Sequence, residues 1–413
     1  MLEGLGRAFR HRNYRLYFFG QLISLIGTWM QSVAQAWLVF RLTGSASALG
    51  EISFVGQIPM FLLAPFAGVL ADRYNRRNLL LFTQASSMIL AAPLAVLTFE
   101  GTVTVRWVEI LALALGVVNA LDMPVRQSFA VEMVGKEDLP NAIALNSSVF
   151  NAARLVGPAV AGLLVAAVGE AWCFALNAAS FVAVLAGLLA MRLPPRPPPQ
   201  RHGSMLAEAG EGLAYAFRTR PLRNLLAMVG LLSFAGMPYA TLIPVFAEKL
   251  LAGGAAANGM LMGANGLGAM LGALTLAARK SLTGTAQRIV LASALFGLGL
   301  IGFAWSRNYV LSLGMMVVTG FAMLTFVGSC NTLIQSMLTE AYRGRVMAVY
   351  TMVLVGVSPF GSLLAGWMAE RWGASIVVAG GGACCIVSGL LLQRVLTGLR
   401  DEARALMAAV KAE

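Results

Sequence analysis

The sequence predicts an all-α membrane protein, with twelve transmembrane helices in two pseudo-symmetric six-helix bundles. Three observations carry that expectation. Of 413 residues, 58% are hydrophobic and only 12% charged, whereas a soluble chain carries about a quarter charged residues. The apolar residues gather into twelve runs, each near the ~20 residues that cross a bilayer as a helix. A basic, proline-rich interval separates the runs into two sets of six.

The first set occupies residues 16–40, 46–71, 78–99, 106–129, 141–166 and 171–191, the second 224–247, 256–277, 288–305, 309–333, 346–368 and 374–393. The interval between them opens with Pro194-Pro195-Arg196-Pro197-Pro198-Pro199, which favours extended polyproline-like backbone. From Ser204 a helix is expected, with Leu206, Leu213 and Phe217 on one face, lying along the cytoplasmic membrane surface. The expected organisation is an N-terminal bundle over 1–191, a cytoplasmic linker over 192–223, a C-terminal bundle over 224–393 and a cytoplasmic tail over 394–413. The basic segment Arg7–Arg12 precedes a run too long for a signal-peptide core and lacks a cleavage site, so the first helix is expected to remain as an anchor.

The formal net charge of +12 sits in short segments between the runs. No basic patch is interleaved with groove-reading elements, so nucleic acid is not an expected partner. Alternate connections carry Arg73, Arg76 and Arg77; Arg126 and Lys136; Arg192 through Arg223; Arg279, Lys280 and Arg288; and Arg343 with Arg345. The opposite connections hold little beyond Arg41, Arg106, Lys249, Arg307 and Arg371. The positive-inside rule then places both termini and the linker in the cytoplasm. Four cysteines, Cys173, Cys330, Cys384 and Cys385, all lie in apolar runs and read as small hydrophobes without metal-ligand spacing. With only His11 and His202, zinc or Ser/His chemistry has few parts to use. No G-x-x-x-x-G-K-[ST] loop is present, so ATP hydrolysis is not expected. No cofactor or metal is implied, and an enzyme is not the expected class.

The halves echo one another. Gln127-Ser128 with Glu132 recurs as Gln335-Ser336 with Glu340, and Gly157-Pro158 as Ser358-Pro359, as in transporters built from repeats. After the second run stands Gly68-Val69-Leu70-Ala71-Asp72-Arg73-Tyr74-Asn75-Arg76-Arg77. This resembles the loop G-x-L-a-D-r-x-g-r-r of the major facilitator superfamily, with Asn75 in place of one glycine. Asn75 is expected to tolerate the left-handed turn geometry that glycine would take.

Several consequences follow from that loop. Gly68 permits close helix approach, and Asp72 stands where it can face the positive N-terminal end of the eleventh helix. Such a latch would hold the cytoplasmic side shut and open as the halves rock; alternatively, Arg73, Arg76 and Arg77 only fix topology. In the fifth run, Gly157, Pro158 and Gly162 are similar to the Gly-Pro element of the superfamily's exporters, which implies export; a packing kink is the plainer reading. The stretches Pro124–Ser128, Leu139–Asn146 and Arg343–Met347 resemble the branch containing enterobactin exporters and drug exporters. Drug exporters often carry an Arg followed by Gln-Gly in the fourth helix; Leu111–Gly116 lacks it, which weakens any carry-over of their proton mechanism.

Arg154 stands thirteen residues into the fifth run, roughly 20 Å along a helix, where a cation must face the bundle interior or a watery cavity. It contacts an anionic substrate, joins a proton-linked charge network, or forms a structural ion pair. Asp122 and Arg126 are four apart on one helix face and able to pair. Their place near the cytoplasmic end favours a structural or gating role shared with Arg76, with Asp122 as proton carrier the alternative. In the first run, Gln21, Ser24, Thr28, Gln31 and Gln35 share a face, either lining a cavity or bonding between helices. Further inward candidates are Asn151, Tyr239, Asn331 and Gln335.

The function this implies is export of a siderophore-like compound or amphipathic drug by alternating access, driven by an ion gradient with the proton as coupling ion. The setting would be the lipid bilayer of a bacterial inner membrane and the state a monomer. The alternatives are a lysophospholipid transporter and a non-transporting scaffold or sensor.

Overall fold

A computed structural model describes the backbone of residues 6–192, 205–279 and 284–412, and their side chains except at 64–69, 71, 72, 136, 205–209, 340, 341, 392, 394–405 and 407–412. Among the described residues the chain is helical throughout, without strands. After a 3₁₀ turn at Arg7–Arg10, the first half supplies α1 (Arg12–Thr43), α2 (Ala46–Arg73), α3 (Arg76–Phe99), α4 (Val105–Gly135), α5 (Glu137–Val168) and α6 (Glu170–Leu189). The linker helix is α7 (Met205–Arg218). The second half supplies α8 (Arg220–Leu250), α9 (Gly254–Ala277), α10 (Thr285–Trp305), α11 (Tyr309–Ser336), α12 (Tyr342–Trp372) and α13 (Ala374–Ala412). Twelve of these helices are long and apolar enough to cross a membrane, as the twelve runs predict.

Local chemistry sets the boundaries. α1 stops at Gly44, which takes a left-handed conformation at φ 63°. Thr104 and Asn308 accept hydrogen bonds from the backbone N–H groups of Trp107 and Leu311, the usual way a helix start is capped. Between α4 and α5 the helical path breaks at Gly135, with φ 72° and ψ 179°, a conformation open to glycine and strained for other residues. α8 is interrupted by π-helical turns at Leu232–Gly236 and Phe246–Leu250, around Pro238 and Pro244. Proline removes a backbone donor, and such bulges frequently mark working helices.

Two compact units result. The first comprises residues 1–44, 55–201 and 253–263, and the second 45–54, 202–252 and 264–413. In the first, α1 packs mainly on α6 and on the α4–α5 pair, and α3 on the same partners. In the second, α10 packs on α11 and α13, and the broken α8 lies against α13. The second helix of each half is thereby divided: the first turns of α2 belong to the second unit and the first turns of α9 to the first.

The linker helix turns its small face to the protein. Gly212 and Ala216 are buried, with Gly212 against Arg345. Tyr215 stacks on Tyr342 at 4.2 Å, and Arg345 donates to Glu211 at 2.7 Å. Leu213 and Phe217 remain exposed on the other side, while Leu206 lies outside the described residues. Exposed tryptophans stand at helix ends remote from the arginine-rich connections: Trp107 and Trp172 in the first unit; Trp305, Trp367 and Trp372 in the second. Aromatic belts of this kind sit at membrane–water boundaries.

Candidate functional site

The turn joining α2 to α3 uses its arginines for separate tasks. Arg76 donates to the Ser128 carbonyl at 3.1 Å and to Glu132 at 3.0 Å, tying α3 to α4. Arg77 donates to the carbonyls of Leu188 and Leu189 at 2.7 and 2.9 Å, meeting the negative, donor-free end of α6. Arg73 is exposed. Asn75 departs from the expected left-handed turn: its φ is −64°, its backbone is extended, and its side chain caps α3 by accepting from Asn78 N–H at 3.1 Å. Asparagine fits here because it caps as well as it turns. The side chain of Asp72 and the surroundings of Gly68 lie outside the described residues.

Asp122 lies at the centre of a buried polar cluster. Its carboxylate, 4% exposed, accepts from Thr83 at 2.7 Å and Gln84 at 2.8 Å on α3, and pairs with Arg126 one turn along α4. The expected Asp122–Arg126 pair is therefore present, while Arg76 forms a separate pair with Glu132. Thr83 and Gln84 were not among the sequence candidates; their signal was two adjacent polar residues within an apolar run. Among the described residues, Gln84 Oε1 and Arg126 Nε are buried without a hydrogen-bond partner, leaving polar capacity beside the carboxylate.

Arg154 lies half-buried on α5, its guanidinium carbon 5.9 Å from the centre of the Trp29 ring, within cation–π range. Trp29 in turn meets Phe150 edge to face at 5.8 Å. This grouping depends on Gly157. A Cβ there would come within 2.6 Å of Trp29 Cβ and 2.9 Å of the Ile26 carbonyl, so only glycine lets α5 approach α1 closely enough. One turn on, Gly162 faces Gly259 and Ala255 at the start of α9, where an added Cβ would sit 2.7 Å from Gly259 Cα. The Gly157–Gly162 segment, with Pro158 between, is thus a close-packed seam of the first unit.

The other candidates are scattered. Gln31 is 5% exposed, and its side-chain oxygen accepts from Asn177 of α6 at 2.6 Å, which is a bond between helices. Gln35 is half-buried. Asn151 donates to Ser147 on its own helix, and Gln335 donates to Asn331 one turn away. Tyr239 is 3% exposed, with its ring against Phe296 at 6.0 Å. The structure thus groups Asp122 with Arg126 and Arg154 with Trp29.

Two carboxylates escaped the sequence reading. Glu170, in the first turn of α6 and buried, receives a two-pronged bond from Arg41 at 2.7 and 3.2 Å, which explains one of the few arginines on the sparsely charged side. Glu370, near the end of α12, accepts from the Ser45 hydroxyl at 3.0 Å and from the Ala46 and Ser47 N–H groups at 2.6 and 3.3 Å. It thereby caps α2 within the second unit. No group of three His, Cys, Asp or Glu able to hold a metal occurs among the described residues.

These features sit on a fold with known counterparts. Solved structures of the nucleoside transporter NupG and of a bacterial homologue of the iron transporter ferroportin, in an inward-facing state, superpose with TM-scores of 0.70 and 0.68. They are 16% and 15% identical, each covering 93% of this chain and 98% of the other, and show the shared fold alone. Among curated relatives, the staphyloferrin A transporter of Staphylococcus aureus is 26% identical over 362 residues, 87% of this chain and 90% of that protein. The enterobactin exporter EntS of Escherichia coli is 27% identical over 398 residues, 94% and 93% respectively. Residues 7–409 match the family model described as transmembrane secretion effector. With that match spanning nearly every residue and twelve spanning helices beneath it, the chain belongs to the transmembrane secretion effector family of the major facilitator superfamily.

Proposed function

We propose that this protein is a secondary active exporter carrying a siderophore-like organic molecule out of the cytoplasm. It works by alternating access and is driven by an ion gradient, with the proton as the coupling ion. The observation that carries the reading is the near full-length likeness to a staphyloferrin A transporter and an enterobactin exporter. The Arg154–Trp29–Phe150 grouping suits such cargo. A guanidinium takes a carboxylate or phenolate by charge-assisted hydrogen bonds, and the neighbouring rings offer edges and faces to an aromatic group. The buried Asp122 cluster, with its spare polar atoms, is the element we assign to proton coupling. Arg73, Arg76, Arg77, Gly68, Asp72, Gly157 and Pro158 are assigned to gating, with Gln31, Gln35, Asn151, Tyr239, Asn331 and Gln335 as cavity candidates. Arginine-rich connections on one side and exposed tryptophans on the other support a bacterial inner-membrane orientation with both termini cytoplasmic. The working unit is taken as a monomer.

The test is uptake into proteoliposomes under an imposed proton gradient, offering hydroxycarboxylate and catecholate siderophores beside amphipathic cations. Siderophore flux that dissipates the gradient, is lost in Arg154→Ala and is partly kept in Arg154→Lys supports the proposal. A folded preparation that moves only amphipathic cations refutes the siderophore assignment. Flux indifferent to the gradient refutes the proton coupling.

A further inference from the structure

An apolar groove of about 460 Å³ runs between α1 and α6, lined only by residues of the first unit. Its origin is local. A Cβ on Gly20 would come within 2.9 Å of Val184 Cα, so the two helices touch there. Beside the contact, Ala183, Ala186 and Ala190 leave the floor low. Phe19 and Ile23, 57% and 50% exposed, stand up as one wall. From Arg15 to Ile23 the groove follows α1 for about 12 Å at the helical rise.

One end of this groove is cationic. Arg15 lines it directly. Arg12, one turn earlier, donates to the Ala190 carbonyl at 3.3 Å, which brings its guanidinium to the same end. Asn13 between them ties down the chain beyond α6, donating to the Arg192 carbonyl at 2.8 Å and accepting from its backbone N–H at 3.2 Å. The neighbouring carboxylate, Asp138, is already engaged by His11 and Arg7. Among the described residues no carboxylate pairs with Arg12, Arg15 or Arg192. Arg12 and Arg15, without a carboxylate partner among the described residues, therefore stand at the end of an apolar slot on a membrane-spanning helix pair.

We propose that this groove binds an anionic phospholipid of the surrounding bilayer, one acyl chain lying against the alanine floor and the phosphate held by Arg12 and Arg15. The charge pattern selects the occupant. A free phosphate would use the arginines without needing the slot, and a zwitterionic or neutral lipid would use the slot without compensating the arginines. The volume is within the ~300–1,000 Å³ of ordinary ligand sites. The inference rests on the membrane-spanning fold and not on the export reading.

The experiment is native mass spectrometry and thermal titration of the full-length protein in detergent with phosphatidylglycerol, phosphatidylcholine or glycerol 1-phosphate. Phosphatidylglycerol alone is expected to stay bound through detergent removal and to raise the melting temperature. Arg12→Gln/Arg15→Gln should weaken its binding by roughly thirtyfold, at about fivefold per arginine near an anionic surface. Ala186→Leu fills the groove while leaving the arginines in place, and should abolish retention without lowering the melting temperature of lipid-free protein. Equal retention of phosphatidylcholine overturns the proposal, as does an effect reproduced by glycerol 1-phosphate. Unchanged phosphatidylglycerol binding in Ala186→Leu overturns it as well.

Discussion

Replacing Asp122 by asparagine and Arg126 by glutamine, singly and together, reads the energy of the buried pair on α4. The two single changes should not cost the same. Arg126→Gln leaves a carboxylate that is 4% exposed with only Thr83 and Gln84 as donors. Breaking one side of a buried pair costs about 3–5 kcal/mol. Asp122→Asn leaves a guanidinium that is less completely enclosed than the carboxylate, 29% exposed against 4%, so its cost falls to about 1–3 kcal/mol, near that of a lost charged hydrogen bond. In the double variant no uncompensated charge remains, and the two costs should fall short of additivity by about 0.5–3 kcal/mol. Unfolding in mixed micelles can be followed by thiol labelling, because Cys173, Cys330 and Cys385 are buried reporters. A Cys384→Ala background removes the exposed thiol. Additivity within about 0.5 kcal/mol, or an Asp122→Asn cost exceeding that of Arg126→Gln, would refute the account of Asp122 as a carboxylate stabilised chiefly by Arg126.

Three further outcomes follow from the contacts. Arg41→Gln removes the two-pronged bond to Glu170 and should cost about 1–3 kcal/mol. Glu170→Gln in the same chain should recover part of it, read as the difference in unfolding midpoints. Glu370→Ala strips the cap from α2, and hydrogen exchange at Ala46 and Ser47 should accelerate by roughly tenfold for a loss of about 1.4 kcal/mol; unchanged exchange would mean the cap is not sustained in solution. Gly259→Val places a branched side chain against Gly162 and the Pro158 carbonyl, an overpacking that costs about 1–3 kcal/mol or more. Folded yield by size-exclusion chromatography should drop, while Gly314→Ala, where an added Cβ meets nothing within 4 Å, should leave it unchanged.

The twelve spans were legible because hydropathy and length act locally. The run expected at 78–99 became α3 at Arg76–Phe99, and that at 374–393 became the membrane part of α13. The Asp122–Arg126 pair was legible for the same reason, since four residues on a helix fix a face. What sequence could not supply was the identity of distant partners. Gln31 was visibly part of a polar stripe, yet its partner Asn177 lies 146 residues away. Arg77 sits in a motif that suggests topology or gating, but its hydrogen bonds go to carbonyls 111 and 112 residues on. Asn75 was misread because asparagine serves both left-handed turns and helix caps, and only backbone geometry separates the two.

The exchange of first turns between the two units bears on how the chain can be assembled. Residues 45–54 are made with the first half but complete the second unit, and 253–263 are made with the second half but complete the first. A fragment ending in the 193–204 interval would leave the Gly162 seam of α5 bare for want of Gly259, and its complement would leave Glu370 without the helix start it caps. During synthesis the first six helices would hold that surface unfinished until α9 emerges, and capture by quality-control proteases is expected to peak in this interval.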